Sequence, residues 1–280
     1  WVQALPFVFS LLVALGLTPL LRSQLVEAGL QRENYRGTLL PVPIGIAIVP
    51  AALIALIAIT LLARLTSADV FAADLALVIA LVPGVALLGF IDDVLSGPSR
   101  GFRGHATAAL QGGFSTGLLK ALGTLGLALL VASTLPGSKG DFLLATAVLV
   151  LATNAFNLLD LRPGRAIKAF VLLCVVLTAA TQITEPLAAL GLFIGPLLVC
   201  GWYDLREMAM LGDCGSNVVG ALAGVLIVLT LDSNEQLVAL VVLLVINIYG
   251  EFRSINSVIE KTPGLRHLDS LGRPHDVQSP

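Results

Sequence analysis

The chain has 280 residues, of which 57% are apolar and 12% charged, with 16 Lys and Arg against 18 Asp and Glu and a formal net charge of −2. Ordinary soluble domains are roughly 45–50% apolar and about 25% charged, so the composition excludes a soluble globular protein, and the near-neutral balance gives no footing to a nucleic-acid partner. Cys174, Cys200 and Cys214 lie scattered in or at the ends of apolar stretches without metal-ligand spacing, and read as small buried hydrophobes.

In chain order, nine apolar stretches approach the roughly 20 residues that a helical span requires. They are Gln3–Leu21, Ile44–Ala63, Leu75–Ile91, Leu118–Leu135, Phe142–Leu159, Ala169–Thr184, Pro186–Trp202, Cys214–Leu231 and Glu235–Phe252. The first has neither a basic leader nor a small-residue cleavage pattern, so it reads as a true span and not a removable signal peptide. Fourteen of the 16 basic residues fall on one side of such a threading, and only Arg64 and Lys139 on the other. The positive-inside rule then places the amino terminus outside and the carboxyl terminus in the cytoplasm. The expected fold is all-α: a polytopic membrane helix bundle of about nine spans, multi-pass in a bacterial or archaeal plasma membrane.

The connections divide in the same way. Segments Arg22–Pro43, Asp92–Gly117, Leu161–Lys168, Tyr203–Asp213 and Arg253–Pro280 are longer or more polar than the others and share the basic side, so function is expected on the cytoplasmic face. Residues 1–252 form the bundle; 253–280 form a tail within the same domain. Glu251–Lys261 reads as a helical continuation of the ninth span, broken at Thr262-Pro263-Gly264. Gly220-Ala221-Leu222-Ala223-Gly224 reads as a helix-packing stripe.

Three acidic patches end apolar stretches on that side. Gly89-Phe90-Ile91-Asp92-Asp93 closes the third. Neighbouring aspartates on a helix point about 100° apart, so Asp92 and Asp93 cannot serve one ion in the same way and should have separate roles. Asn154, Asn157 and Asp160 recur at i, i+3 and i+6, which gives one broad polar face at the end of the fifth stretch. It is suited either to amide bonding between helices or to a site. Arg162-Pro163-Gly164-Arg165 follows directly, and two guanidinium groups there match phosphate oxygens. Leu211-Gly212-Asp213-Cys214-Gly215-Ser216-Asn217 opens the eighth stretch, where free backbone N–H groups favour an anion. Asp213 beside a phosphate would require a cation, and Mg²⁺ suits carboxylate, phosphate oxygen and water. In the tail, Arg266, His267, Asp269, Arg273 and His275 form a polar stretch able to fold back over such a site, Arg273 being the best anion contact by its planar fork.

In order, spacing and topology the three motifs together resemble those of the polyprenyl-phosphate N-acetylhexosamine-1-phosphate transferase family. Gly89–Asp93 resembles its aspartate pair, Asn154–Asp160 its Asn-x-x-Asn-x-x-Asp motif and Leu211–Ser216 its Met-Gly-Asp-x-Gly-Ser motif. The resemblance implies transfer of a sugar-1-phosphate from a nucleotide diphosphate sugar to polyprenyl phosphate, with release of a nucleoside monophosphate, dependent on Mg²⁺ or Mn²⁺. It implies Asp92 as base or nucleophile, Asp93 as its supporting carboxylate, Asp213 with Asp92 at the metal, and Asp160 and Asn157 lining the site. Asn154, Arg162, Arg165, Gly212, Ser216 and Arg273 are expected to bind substrate, and a homodimer is compatible with the resemblance.

The chain also departs from that pattern. Asp160 is followed by Leu161-Arg162-Pro163-Gly164, where the family carries a second acid; Met210 stands at the aromatic position before Gly212-Asp213; Pro41-Val42-Pro43-Ile44-Gly45 replaces Pro-Thr-Met-Gly-Gly; and the histidine cluster of the pentapeptide-transferring branch is missing. A divergent branch is therefore expected. An ion-coupled transporter, whose carboxylates would sit near the bilayer midplane within repeated halves, and an inactive family member acting as a binding scaffold are the competing readings.

Overall fold

The computed structural model describes residues 2–95 and 115–274. Among the described residues nine long helices follow one another: α1 (Leu5–Glu27), α2 (Ile48–Thr66), α3 (Leu75–Leu95), α4 (Thr116–Ala132), α5 (Lys139–Leu159), α6 (Arg165–Thr181), α7 (Glu185–Leu205), α8 (Gly212–Thr230) and α9 (Ser233–Phe252). A hairpin of β1 (Gln31–Glu33) and β2 (Leu39–Pro41) separates α1 from α2, and two short helices, α10 (Ile255–Lys261) and α11 (Pro263–Ser270), form the tail. Among the described residues, seven helices are long and apolar enough to cross a bilayer: α1, α2, α3, α5, α7, α8 and α9. All nine expected stretches fall on helices, but α4 and α6 have 17 residues each. At 1.5 Å per residue they reach about 25 Å, somewhat short of a hydrocarbon core of about 30 Å.

Side chains set the ends of these helices. Ser138 and Asp141 form a capping box that opens α5, and Asp232 and Glu235 form another that opens α9. The two starts are tied together where Ser233 donates to Asp141 at 2.6 Å. The Ser115 hydroxyl accepts the Leu118 N–H and opens α4 at the opposite end of the bundle.

Helix α8 is the centre of the molecule, buried on every side from Cys214 to Ile227. Its small residues allow this. Gly220 lies against the backbone of α5 at Thr153 with no room for a methyl group, and Gly224 lies close to Leu149 one turn further on, as expected for a small-residue packing stripe. The α5–α8 and α3–α8 pairs are the most extensive contacts, followed by α1–α7. Helices α1, α2 and α9 turn apolar side chains outward, Leu12, Leu15, Ile57, Leu61, Val238 and Val245 among them, as a surface against lipid would.

The tail departs from the sequence expectation. Helix α9 stops at Phe252 and Arg253 is extended, so α10 does not continue the span. Arg253 and Ser254 form an additional break, while the one expected at Thr262-Pro263-Gly264 is present: α10 ends at Lys261, Thr262 is extended, and Pro263 opens α11 in its first turn, where its missing N–H is not needed. The hairpin, also not anticipated, turns on Asn34, whose side-chain oxygen accepts the N–H groups of Arg36 and Thr38.

Candidate active site

The helices alternate in direction, so α3, α5 and α7 end where α4, α6 and α8 begin. Asp92 and Asp93 close α3 there, and both are buried. The two neighbours diverge, as their spacing requires. Asp93 turns to the first turn of α8, where its carboxylate accepts the N–H of Asp213 at 3.0 Å and that of Cys214 at 2.8 Å. It is an N-cap supplied by another helix, and it satisfies donors that otherwise have no intrahelical partner. The Arg32 guanidinium, carried by β1, donates to the Asp93 carbonyl oxygen.

Asp92 turns instead to Lys120, one turn into α4. The Lys120 ammonium lies 2.6 Å from Asp92 Oδ2 and 2.5 Å from Asp213 Oδ2. It joins three helices, and the Thr116 hydroxyl adds a bond to Asp92. Two glycines make the arrangement possible. A Cβ on Gly89 would come within 2.4 Å of the Asp213 carbonyl oxygen, and Gly212, at φ +75°, would press a Cβ to 2.4 Å from Pro43 Cβ and 2.8 Å from Asp93 Oδ2. Pro43 is fixed by the strip after β2, which pairs with the segment before α8: Met210 N–H donates to Pro41, and the N–H groups of Ile44 and Gly45 donate to Met210 and Leu211.

From α5, Asn157 accepts a hydrogen bond from Ser216 at 2.7 Å, which joins the second motif to the third. Asp160, the first residue beyond α5, is partly buried; that burial, with the negative charges of Asp204, Asp213 and Asp93, pushes its carboxyl well above the ordinary range, while Arg165 pulls it down. Asp204, buried at the end of α7, accepts the N–H groups of Gly164 at 2.6 Å and Leu211 at 3.1 Å and so holds the α5–α6 and α7–α8 connections together.

The structure thus brings Asp92, Asp93, Asn157, Asp160, Asp213 and Ser216 to one end of the bundle. Other expected residues have different partners. Asn154 donates to Asn247 of α9 at 2.6 Å, and Asn247 in turn bonds the carbonyl oxygens of Leu151 and Leu243. Its place here is in helix packing, at the edge of that polar face that meets α9. The N–H groups behind Gly212, those of Asp213 and Cys214, hold the Asp93 carboxylate. Arg162 stacks on Tyr35, 4.2 Å from the ring centre, and pairs with Glu260. Arg165 grips Asp269 with two nitrogens, at 2.7 and 3.0 Å, and Asn256 with a third, while Arg273 bonds Asp269 and the Pro163 carbonyl oxygen. In this arrangement the three arginines hold the tail to the α5–α6 connection. Arg100, Arg103 and His275 lie outside the described residues.

Sequence reasoning passed over Lys120 and Asp204. Lys120 carried a usable signal, an ammonium one turn inside an apolar helix, where an ionisable group implies a buried partner. Asp204 carried none, since a final-turn aspartate in an unremarkable polar connection looks solvated.

Among the described residues no three His, Cys, Asp or Glu side chains lie together as a complete metal cage. Asp92 and Asp213 nonetheless converge on one point, which a cationic ammonium fills here. Two hard carboxylate oxygens suit Mg²⁺, which keeps water and phosphate oxygens in the rest of its shell. No protein-family model matches the chain, and no curated protein shows a significant match to it.

Proposed function

We propose that the protein transfers a sugar-1-phosphate from a nucleotide diphosphate sugar to polyprenyl phosphate, in cell-envelope glycan synthesis, as a divergent member of the transferase family its motifs resemble. The observation that carries the reading is the meeting of Asp92 and Asp213, 121 positions apart in sequence, on the Lys120 ammonium at one end of the bundle. That end carries most of the basic residues, so we place it in the cytoplasm with nine spans threading the membrane. A transporter would hold its carboxylates at mid-depth, whereas these close and open helices.

Phosphoryl transfer between two phosphates requires positioning and neutralisation of charge more than covalent chemistry by the protein. Asp213 and Asp92 are the residues that would hold Mg²⁺, which when bound neutralises diphosphate oxygens. Asp92, paired with Lys120 and not engaged in capping, is the carboxylate that would act as base or nucleophile. Asp93 fixes the start of α8 and thereby the position of Asp213. Lys120 supplies the positive charge that lets these acids approach one another and, released from them, has its ammonium in reach of a phosphate. Ser216 and Asn157 form the adjoining polar wall.

The decisive experiment incubates the purified protein with polyprenyl phosphate, Mg²⁺ and separate UDP-, CDP- and dTDP-sugars, and measures the nucleoside monophosphate released. Release that depends on both lipid and metal, and is abolished in Asp213→Ala, is the expected result. No release from any donor, or full release in excess EDTA, would overturn the proposal.

A further inference from the structure

Three buried side-chain polar atoms have no hydrogen-bond partner among the described residues: Thr18 Oγ1, Thr230 Oγ1 and Asn217 Nδ2. The threonines lie in α1 and at the far end of α8. Asn217, only 1% exposed, lies directly below the carboxylates. It follows Asp213 by four residues on α8, on the same face and about 6 Å further along the axis. Lys120 reaches from α4 to Asp213 on α8; Thr116, Lys120 and Thr124 share one face of α4, as Asp213 and Asn217 share one face of α8. Both helices start at the same end and run the same way. Thr124, itself buried, therefore stands at the level of Asn217. On the α5 side the wall is closed by Ser216 on Asn157 and by Gly220 on Thr153.

An unpaired amide in the middle of a buried, membrane-embedded helix is costly, because no water is at hand to replace the missing acceptor. Nothing in the packing of α8 requires it. Val218, Val219, Ala221 and Leu222 fill the neighbouring positions with apolar atoms.

We infer that Asn217 is a substrate-binding residue whose Nδ2 donates to a phosphate oxygen held at Lys120, forming the floor of the site beneath Asp213. The inference rests on the phosphate-transfer reading and adds to it a donor at a defined depth. The phosphate belongs either to the donor's diphosphate or to the lipid acceptor, and the two arms of the experiment separate them.

The full-length protein, as wild type, Asn217→Leu and Asn217→Ala, is titrated in detergent with inorganic pyrophosphate plus Mg²⁺, and separately with farnesyl monophosphate plus Mg²⁺. Thermal unfolding is recorded in parallel. Asn217→Leu keeps the volume and removes the orphan donor, so it is expected to unfold at or above the wild-type temperature while binding one probe at least tenfold more weakly. Loss confined to pyrophosphate identifies the donor's diphosphate; loss confined to farnesyl phosphate identifies the acceptor. Asn217→Ala should show the same loss, and it decides the matter if the leucine variant does not fold. Equal binding of both probes by wild type and variants would make Asn217 a packing residue and overturn the inference. A wild-type protein that binds neither probe would overturn the phosphate reading itself and this inference with it.

Discussion

Asp92 and Asp93 are one position apart, carry the same side chain and do different things. A helix turns about 100° per residue, so one carboxylate reaches the N-terminus of α8 and the other the ammonium of Lys120. Replacing Asp93 with Asn keeps the shape but leaves one oxygen for two backbone donors, and its amide faces a N–H group. A buried donor without an acceptor costs about 1–3 kcal/mol, so Asp93→Asn should lower the unfolding temperature in detergent measurably, whereas Asp92→Asn should leave it near wild type and abolish turnover. Equal destabilisation by the two variants would show that the division of labour is wrong. The acidic positions were legible from sequence because carboxylates at the ends of apolar stretches are rare for a physical reason. The ammonium between them was not, because positive charge near a helix end has an ordinary explanation in lipid orientation. Likewise Arg165 and Arg273 have the guanidinium geometry of phosphate ligands, but geometry alone does not reveal that Asp269, about a hundred residues further on than Arg165, gets there first.

Between elements, backbone approach decides. Helix α3 touches the first turn of α8 at Gly89, and a methyl group there would meet a main-chain carbonyl, which cannot rotate away. Gly89→Ala must push the helices apart, separating Asp93 from its two N–H partners and Asp92 from Asp213; overpacking of this kind costs about 1–3 kcal/mol. A circular-dichroism melt should show the loss, and activity should fall further than stability because the site spans that contact. The tail makes a different kind of contact. Asp269 stands between Arg165 and Arg273, and Lys168 donates to the carbonyl oxygens of Leu268, Asp269 and Leu271 at the end of α11. Burial acts to raise the Asp269 carboxyl, but its bonds to the two arginines and their charges outweigh this and hold it below its ordinary value. A depressed carboxylate contributes fully above the unfolded value of about 3.9 and is lost as pH falls through its lower folded value. The tail should therefore stay docked at neutral and mildly acidic pH and be released only in strong acid. Asp269→Asn should release it at pH 7, read as faster trypsin cleavage at Lys261 and Arg266; unchanged cleavage would mean that apolar contacts alone hold α10 and α11.

For the whole molecule, the apolar pattern yielded the helices because hydrocarbon demands internally satisfied backbone, and each of the nine stretches became one. It yielded the hairpin and the tail less well, since those depend on partners distant in sequence: β2 on the segment before α8, α11 on α6. The length of α4 and α6 is the point at which pattern and geometry pull apart. Each is short for a full crossing, yet α4 begins at Lys120's end of the bundle and the capping box of α5 lies at the other, so the chain traverses the bundle between them. The same holds for α6, which starts beside Asp204 at the end of α7 and returns through α7 itself. If all nine cross, Lys139 and Arg64 face outward, and Ser257 in the tail faces the cytoplasm. With Cys174, Cys200 and Cys214 replaced by Ala, single variants Lys139→Cys and Arg64→Cys should react with a membrane-impermeant maleimide in intact cells, and Ser257→Cys only after permeabilisation. Labelling of Lys139→Cys and Ser257→Cys from the same side would remove a crossing between them, and labelling of Ser257→Cys in intact cells would place the carboxylate end of the bundle, to which Asn256 and Glu260 are tied, outside the cytoplasm, where a nucleotide sugar could not reach it.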